Sequence, residues 1–306
     1  MSDVPGFAPF EDVGIAERDK PPFVRLPLPG TLFGLRAMRF AALAPGHQLE
    51  PYLNFLAALS RAQDEIARAS PPPALPALND LRMRAANAMP VLPREELAED
   101  PAASAALDRL AVLLDGAAMP DLARNALERT KATDRDARRA MFDAVLADAI
   151  PVEAVAEHIF VAAALQVVAA RRAAELDPLL PQPVAGGVCP CCGGPPVASA
   201  IVADLEVEGV RYVQCSLCAT QWNHVRVKCV SCGSTKGIAY QAIEGIADTI
   251  KAETCDECRT YVKILNRRKD TELEPVADDV ASLGLDLLVI EAGWKRAGVN
   301  PFLLGY

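Results

Sequence analysis

Cys189-Pro190-Cys191-Cys192-Gly193, Cys215-Ser216-Leu217-Cys218, Cys229-Val230-Ser231-Cys232-Gly233 and Cys255-Asp256-Glu257-Cys258 decide how this chain is organised. The cysteines at 189, 192, 215 and 218 recur 40 residues later at 229, 232, 255 and 258. The unit is two Cys-x-x-Cys knuckles separated by 22 residues, written twice. Two cysteines three apart wrap a tight turn around one cation, with backbone N–H groups aimed at the sulfurs. Gly193 and Gly233, directly after the first knuckle of each copy, relieve that turn because glycine tolerates positive φ. Two knuckles complete a tetrahedral four-sulfur site suited to zinc or a single iron.

The spacing alone allows two pairings. Nearest pairs place Cys189, Cys192, Cys215 and Cys218 on one ion and Cys229, Cys232, Cys255 and Cys258 on a second. A cross-brace would join knuckle one to three and two to four. The repeat favours the first, because each copy then carries its own ligand set. Disulfides between cysteines three apart are strained or redox-active more often than structural. A redox Cys-x-x-Cys occurs once, at a helix start, rather than four times in register. Two metal ions are therefore expected, in structural sites, since four thiolates leave no position for water or substrate. Two such sites would move the formal charge from −9 to about −13. Cys191, inside the first knuckle, is expected to be a small apolar filler rather than a ligand.

Each 22-residue interval fits a hairpin. Ala200–Val207 and Val210–Val213 flank a turn at Glu208-Gly209, and Ile238–Ile243 and Thr249–Ala252 flank Gly245. Outward from the cysteines the composition changes sharply: residues 1–188 contain none of the nine. This body reads as helices at 31–44, 49–69, 75–88, 100–114, 120–131 and 152–175. Thr133-x-x-Asp136 is read as a capping box opening one more, to about Asp148. In the last helix Val155, Ile159 and Leu165 are expected to face inward. The proline- and glycine-rich stretch 177–187 is the linker. After the cysteines, Asp278–Arg296 is expected to be one helix, stopped by Gly298 and Pro301.

Lys plus Arg number 31 and Asp plus Glu 40, so the chain lacks the positive excess of a non-specific nucleic-acid binder. Charges interrupt every long apolar stretch, so no membrane span is expected. The acidic start without an apolar core is not a secretory signal, and the cytoplasm is the expected compartment. No phosphate loop, HExxH or Gly-x-Ser-x-Gly is present, and Glu95-Glu96 and Asp278-Asp279 have no acid/base spacing. His224 is expected to pack or lie exposed rather than ligate, His158 to be a satisfied helix residue, and His47 to serve a turn. Arg267-Arg268-Lys269 is read as solvated surface. Trp222 and Tyr261, just after the second knuckles, either cover the metal or dock a partner.

The chain resembles the formate dehydrogenase accessory protein family (FdhE). The residues that carry this are Pro22-Phe23-Val24-Arg25-Leu26-Pro27, Leu32-Phe33, Arg36-Ala37, Arg39-Phe40, Gly46-His47 and Tyr52-Leu53-Asn54-Phe55. To these are added the four knuckles with Thr220, Trp222, Arg226, Glu253, Tyr261 and Lys263. The end matches through Ala277-Asp278-Asp279, Leu283, Leu285-Asp286 and Gly298-Val299-Asn300-Pro301-Phe302. The resemblance implies an α plus small β fold: an all-helical N-terminal domain, two tandem rubredoxin-like (zinc-ribbon-like) four-cysteine modules and a C-terminal helix. The corresponding division is an irregular tail 1–20, a helical domain 21–180, linker and first module 181–226, second module 227–266 and C-terminal helical segment 267–306. It implies iron at the two sites, with zinc as the replacement ion. It further implies an assembly factor, not an enzyme, that contacts the molybdopterin-containing catalytic subunit of respiratory formate dehydrogenase before twin-arginine export. The alternative is rubredoxin-like electron transfer through iron held by four cysteines.

Overall fold

The computed structural model describes residues 21–203, 208–245 and 248–303. Seven helices build the body: α1 (Pro29–Leu43), α2 (Glu50–Ala69), α3 (Leu78–Ala86), α4 (Pro101–Leu113), α5 (Asp121–Lys131), α6 (Arg135–Leu146) and α7 (Val155–Ala174). Proline in the first turn of α1, α2 and α4 starts each where no N–H bond is lost. Asp100 caps α4 by accepting from the Ala102 N–H. The opening of α6 differs from the sequence expectation by one residue. Asp134, not Thr133, is the cap and accepts from Ala137 N–H, while the Thr133 hydroxyl turns back to donate to the Thr130 carbonyl at the end of α5.

Helix α7 is the axis of the body, and α2, α4, α5 and α6 pack around it. Its apolar face is not a stripe: every residue from Phe160 to Ala170 is buried. Leu165 is inward as expected, but Val155 and Ile159, nearer its start, are only half-buried. The many alanines between let neighbouring helices approach from all sides. Enclosure also explains its composition: Val152–Ala174 is long and apolar enough to cross a bilayer, yet most of it is buried here as a core helix.

The strands are β1 (Val24–Arg25), β2 (Pro196–Ala203), β3 (Glu208–Cys215), β4 (Gln221–Asn223), β5 (Ile238–Gln241), β6 (Ile250–Cys255), β7 (Thr260–Asn266) and β8 (Lys295–Arg296). They form one sheet in the order β1-β4-β3-β2-β7-β6-β5, with β8 beside β7. Each cysteine repeat supplies three strands, so the two modules are halves of a continuous sheet. The seam is the parallel pair β2–β7, registered Ser199↔Ile264, Ala200↔Leu265 and Ile201↔Asn266. Glu208 and Gly209 belong to β3 and not to the expected turn, and residues 204–207 at the end of the expected strand Ala200–Val207 lie outside the described residues.

The N-terminal region is not all-helical. Phe23-Val24-Arg25, held extended between prolines, adds β1 to the sheet by pairing Val24 with Trp222 and Arg25 with Gln221. The Asn223 N–H donates to the Phe23 carbonyl and the Tyr212 hydroxyl to that of Pro22. The C-terminal segment is likewise not one helix. Glu274 caps α8 (Pro275–Ala281), and α9 (Leu283–Glu291) follows after a break at Ser282. Ser282 Oγ bonds the Asp278 carbonyl, and Gly293 at φ +94° ends α9 well before Gly298, so Lys295 and Arg296 are free to pair with β7.

Buried charges tie these parts together. Arg211 on β3 and Glu253 on β6 meet at 2.8 Å with almost no exposure, and Arg211 also donates to Ser199 on β2. Lys263 on β7 lies among Asp279, Asp286 and Ser282, while Arg296 pairs with both aspartates and the Tyr261 hydroxyl donates to Asp286. Two cations and two anions thus balance inside the protein. Arg39 holds Asp278 with two hydrogen bonds of 2.7 and 2.8 Å, and Arg36 holds Glu274, fastening α1 to α8. Burying a charge without its partner is costly. Chemical denaturation of Glu253→Ala is expected to show a loss of about 3–5 kcal/mol. The double variant Arg211→Leu with Glu253→Leu should lose far less, because no charge is left unpaired.

Candidate metal centres

The sheet brings the eight paired cysteines into two groups: Cys189, Cys192, Cys215 and Cys218, and Cys229, Cys232, Cys255 and Cys258. Within each, all four sulfurs lie within 4.8 Å of one another. The grouping joins knuckle one to two and three to four. Closest approaches are 3.6 Å (Cys189–Cys218), 3.5 Å (Cys192–Cys215), 3.7 Å (Cys229–Cys258) and 3.8 Å (Cys232–Cys255). A tetrahedron with metal–sulfur bonds of 2.3 Å has edges of about 3.8 Å, so both groups fit a four-thiolate ion. They are also far too open for disulfides, and all nine cysteines are free.

Three of the four knuckles show the same pattern of backbone N–H groups aimed at the first sulfur. The N–H groups of Leu217 and Cys218 point at Cys215 Sγ at 3.4 Å. Ser231 and Cys232 do the same for Cys229, and Glu257 and Cys258 for Cys255. Gly193 and Gly233 sit at φ +74°, as their place in the turn predicts. The second knuckles reach the same conformation without glycine, through Ala219 at φ +58° and Arg259 at +55°. Thr220 and Thr260, again 40 apart, place their hydroxyls 3.2 and 3.0 Å from Cys218 and Cys258 Sγ. Aligning the two repeats would have found these pairs.

The sulfurs do not tolerate four negative charges unaided. Burial, together with neighbouring thiols, drives the Cys189 thiol well above its ordinary value. Burial also opposes ionisation of Cys215, but hydrogen bonds from the other three cysteines outweigh it and hold Cys215 well below. In the second group burial pushes Cys229 up to about 12. There Cys258, despite a burial penalty, is brought down to about 7 by Thr260 and the adjacent sulfurs. A cation supplies the charge that lets the remaining thiols ionise.

The surroundings of the two groups differ. The first is wholly buried against the helical body. Val91 N–H donates to the Pro190 carbonyl and Leu92 N–H to that of Cys191, clamping the first knuckle from the α3–α4 connection. Gln166 of α7 donates to the Ser216 carbonyl in the second knuckle and is itself held by Gln63. Cys191 points into the apolar core. In the second group Cys232 is exposed and Cys258 partly so. No local signal in the sequence announces this difference, because it is set by distant residues such as Leu92 and Gln166.

Trp222 and Tyr261 are both buried, the first within the β1–β4–β3 ladder and the second against Asp286. His224 bonds the Lys228 carbonyl, and His158 that of Ala154. His47 accepts from Leu49 N–H and its other nitrogen reaches the Ala281 carbonyl, joining the α1–α2 turn to α8.

Gly194 faces the first sulfur group directly: a Cβ there would meet Cys215 Sγ at 3.1 Å and Cys192 Sγ at 3.4 Å. The matching position in the second copy is Ser234. Gly194→Ser is therefore expected to lower metal content from two ions per chain to one, read by elemental analysis. Ser234→Gly should leave both.

Residues 21–186, 188–226 and 227–303 match the profiles described as FdhE, N-terminal; FdhE, central domain; and FdhE, C-terminal domain. The chain is 47% identical over 289 residues to a protein named Protein FdhE homolog from Rhizobium meliloti, covering 94% of each. It is 37% identical to one of the same name from Stutzerimonas stutzeri, again over 94% of each. Its fold is similar to the crystal structure of the FdhE protein from Pseudomonas aeruginosa, with TM-score 0.82 and 32% identity, covering 92% of this chain and 99% of that one. The chain belongs to the FdhE family.

Proposed function

We propose that this protein is a non-catalytic accessory factor in the assembly of respiratory formate dehydrogenase. It binds the molybdopterin-containing catalytic subunit in the cytoplasm before twin-arginine export. The observation that carries this reading is the family match over residues 21–303 joined to two complete four-sulfur groups. Cys189, Cys192, Cys215 and Cys218 hold one ion and Cys229, Cys232, Cys255 and Cys258 the other, iron or, in its place, zinc. With every tetrahedral position taken by sulfur, the ions brace the sheet and offer no open site for a substrate.

What the chain itself does is present a sheet fastened to a helical body by buried charges, a rigid platform suited to holding a partner. A structural four-thiolate site contributes about 10–16 kcal/mol of folding free energy at neutral pH. Serine in place of both Cys189 and Cys218 is therefore expected to leave residues 188–303 sensitive to limited proteolysis. Purified wild-type protein with both ions bound should capture the catalytic subunit in a pull-down. A fully metallated chain that captures none would defeat the proposal.

A second reading, electron transfer by iron in the second group, draws support from the exposure of Cys232. An absorption change on reduction, with turnover against a partner, would favour it. A colourless zinc protein with full assembly activity would eliminate it.

A further inference from the structure

From Gly209 to Ile243 the chain carries no Asp or Glu, thirty-five residues in a protein with 40 acidic groups. The same stretch holds Arg211, Arg226, Lys228 and Lys236. Arg211 is buried against Glu253, but the other three are exposed. Along the chain they flank the knuckle that carries the one exposed ligand-type sulfur, that of Cys232; the Arg226 guanidinium reaches toward Gly209. The stem of Lys228 lies beside Gly233, where a Cβ would come within 3.2 Å of its Cε. Val225 and Val227 in the adjoining loop are 59% and 62% exposed. The Tyr240 hydroxyl donates to the Arg226 carbonyl, holding this loop against β5. β5 is the last strand of the sheet on that side among the described residues, and its Ala239, Tyr240 and Gln241 are exposed. An edge strand with apolar neighbours is a ready template for an extended partner segment.

The first sulfur group has no such face, because Val91, Leu92 and Gln166 cover it. In the other knuckle of the second group, Asp256 packs against Gly237 and pairs with Arg259, and Glu257 is exposed. The Cys232 side supplies no acid of its own between Val225 and Ile243. Its three cations exceed the charge of about −2 on a divalent ion held by four thiolates. On a chain of net charge −9, an acidic surface is drawn to a patch of this kind.

We infer that the knuckle Cys229–Gly233, the loop Val225–Lys228 and the outer edge of β5 form a docking face for an acidic polypeptide. Resting on the reading under Proposed function, that polypeptide is an acidic surface of the catalytic subunit, and the second ion is the one presented to it.

Alkylation by iodoacetamide, mapped residue by residue on the two-ion protein, tests the face without the partner. Cys232 is expected to react at least about tenfold faster than Cys192. A glutamate-rich peptide should slow that reaction at low salt. The protection should vanish at high salt and in Arg226→Glu with Lys236→Glu, whose metal content must remain two ions. A lysine-rich peptide should give none. Equal labelling of Cys192 and Cys232, no protection by the acidic peptide, or equal protection by the basic peptide or by a single-stranded oligonucleotide would overturn the inference. With the catalytic subunit, the double charge reversal should weaken binding about tenfold, while Arg61→Glu with Arg82→Glu on the helical body should not. Undiminished binding by the first pair would also overturn it. Peptide protection without any binding of wild-type protein to the catalytic subunit would leave the face and remove the identity of its partner.

Discussion

Four sulfurs held within 4.8 Å of one another are a constraint that the polypeptide cannot satisfy alone. Burial opposes ionisation of Cys189 and Cys229, and a quartet without its full charge or a cation has little to hold it together. With a cation the same quartet becomes the strongest local interaction in the chain. The knuckles sit at strand ends, Cys215 closing β3 and Cys255 closing β6, so each sulfur cluster ties neighbouring strands at one end. β1, β4 and β8 contain only two or three residues and have no independent stability; they are held by the rest of the sheet.

The helical body contributes unequally. It closes over the first cluster with backbone bonds from Val91 and Leu92 and a side-chain bond from Gln166. It leaves the second to be supported by α8, α9 and the Lys263–Asp279–Asp286–Arg296 quartet. One repeat is thereby a foundation and the other a projection, although their sequences place ligands identically. The motif residues near the chain's beginning and end find their role here as well. Arg36, Arg39 and His47 meet Glu274, Asp278 and Ala281, so the start of the helical body grips the end of the chain.

Much of this was legible from residue order. The spacing of the cysteines carries the grouping of the sulfurs, since ligands near in sequence reach one ion with short loops. Helix positions follow from prolines and apolar period. Sequence reasoning missed what long-range contacts decide: β1 joining the sheet, the seam between the modules, and the break at Ser282. It also read α7 as one-faced, because a helix rich in alanine looks amphipathic until it is enclosed. The family resemblance pointed to Lys263, Asp279 and Asp286, but not that they share one buried charge cluster, because its members are spread over 33 residues, from Lys263 to Arg296.

The parallel seam between β2 and β7 has a consequence for how such a sheet can arise. The first strand of one copy meets the last strand of the other, so the copies are related by a step in one direction rather than by a two-fold turn. An arrangement of that kind is not self-closing. A third copy could be appended by the same rule, and duplication of a 40-residue segment lengthens the sheet without inventing a new contact. β1 terminates the growth at one margin. At the other margin the ladder stops at β5 among the described residues, and its outer backbone groups face outward for a strand to join.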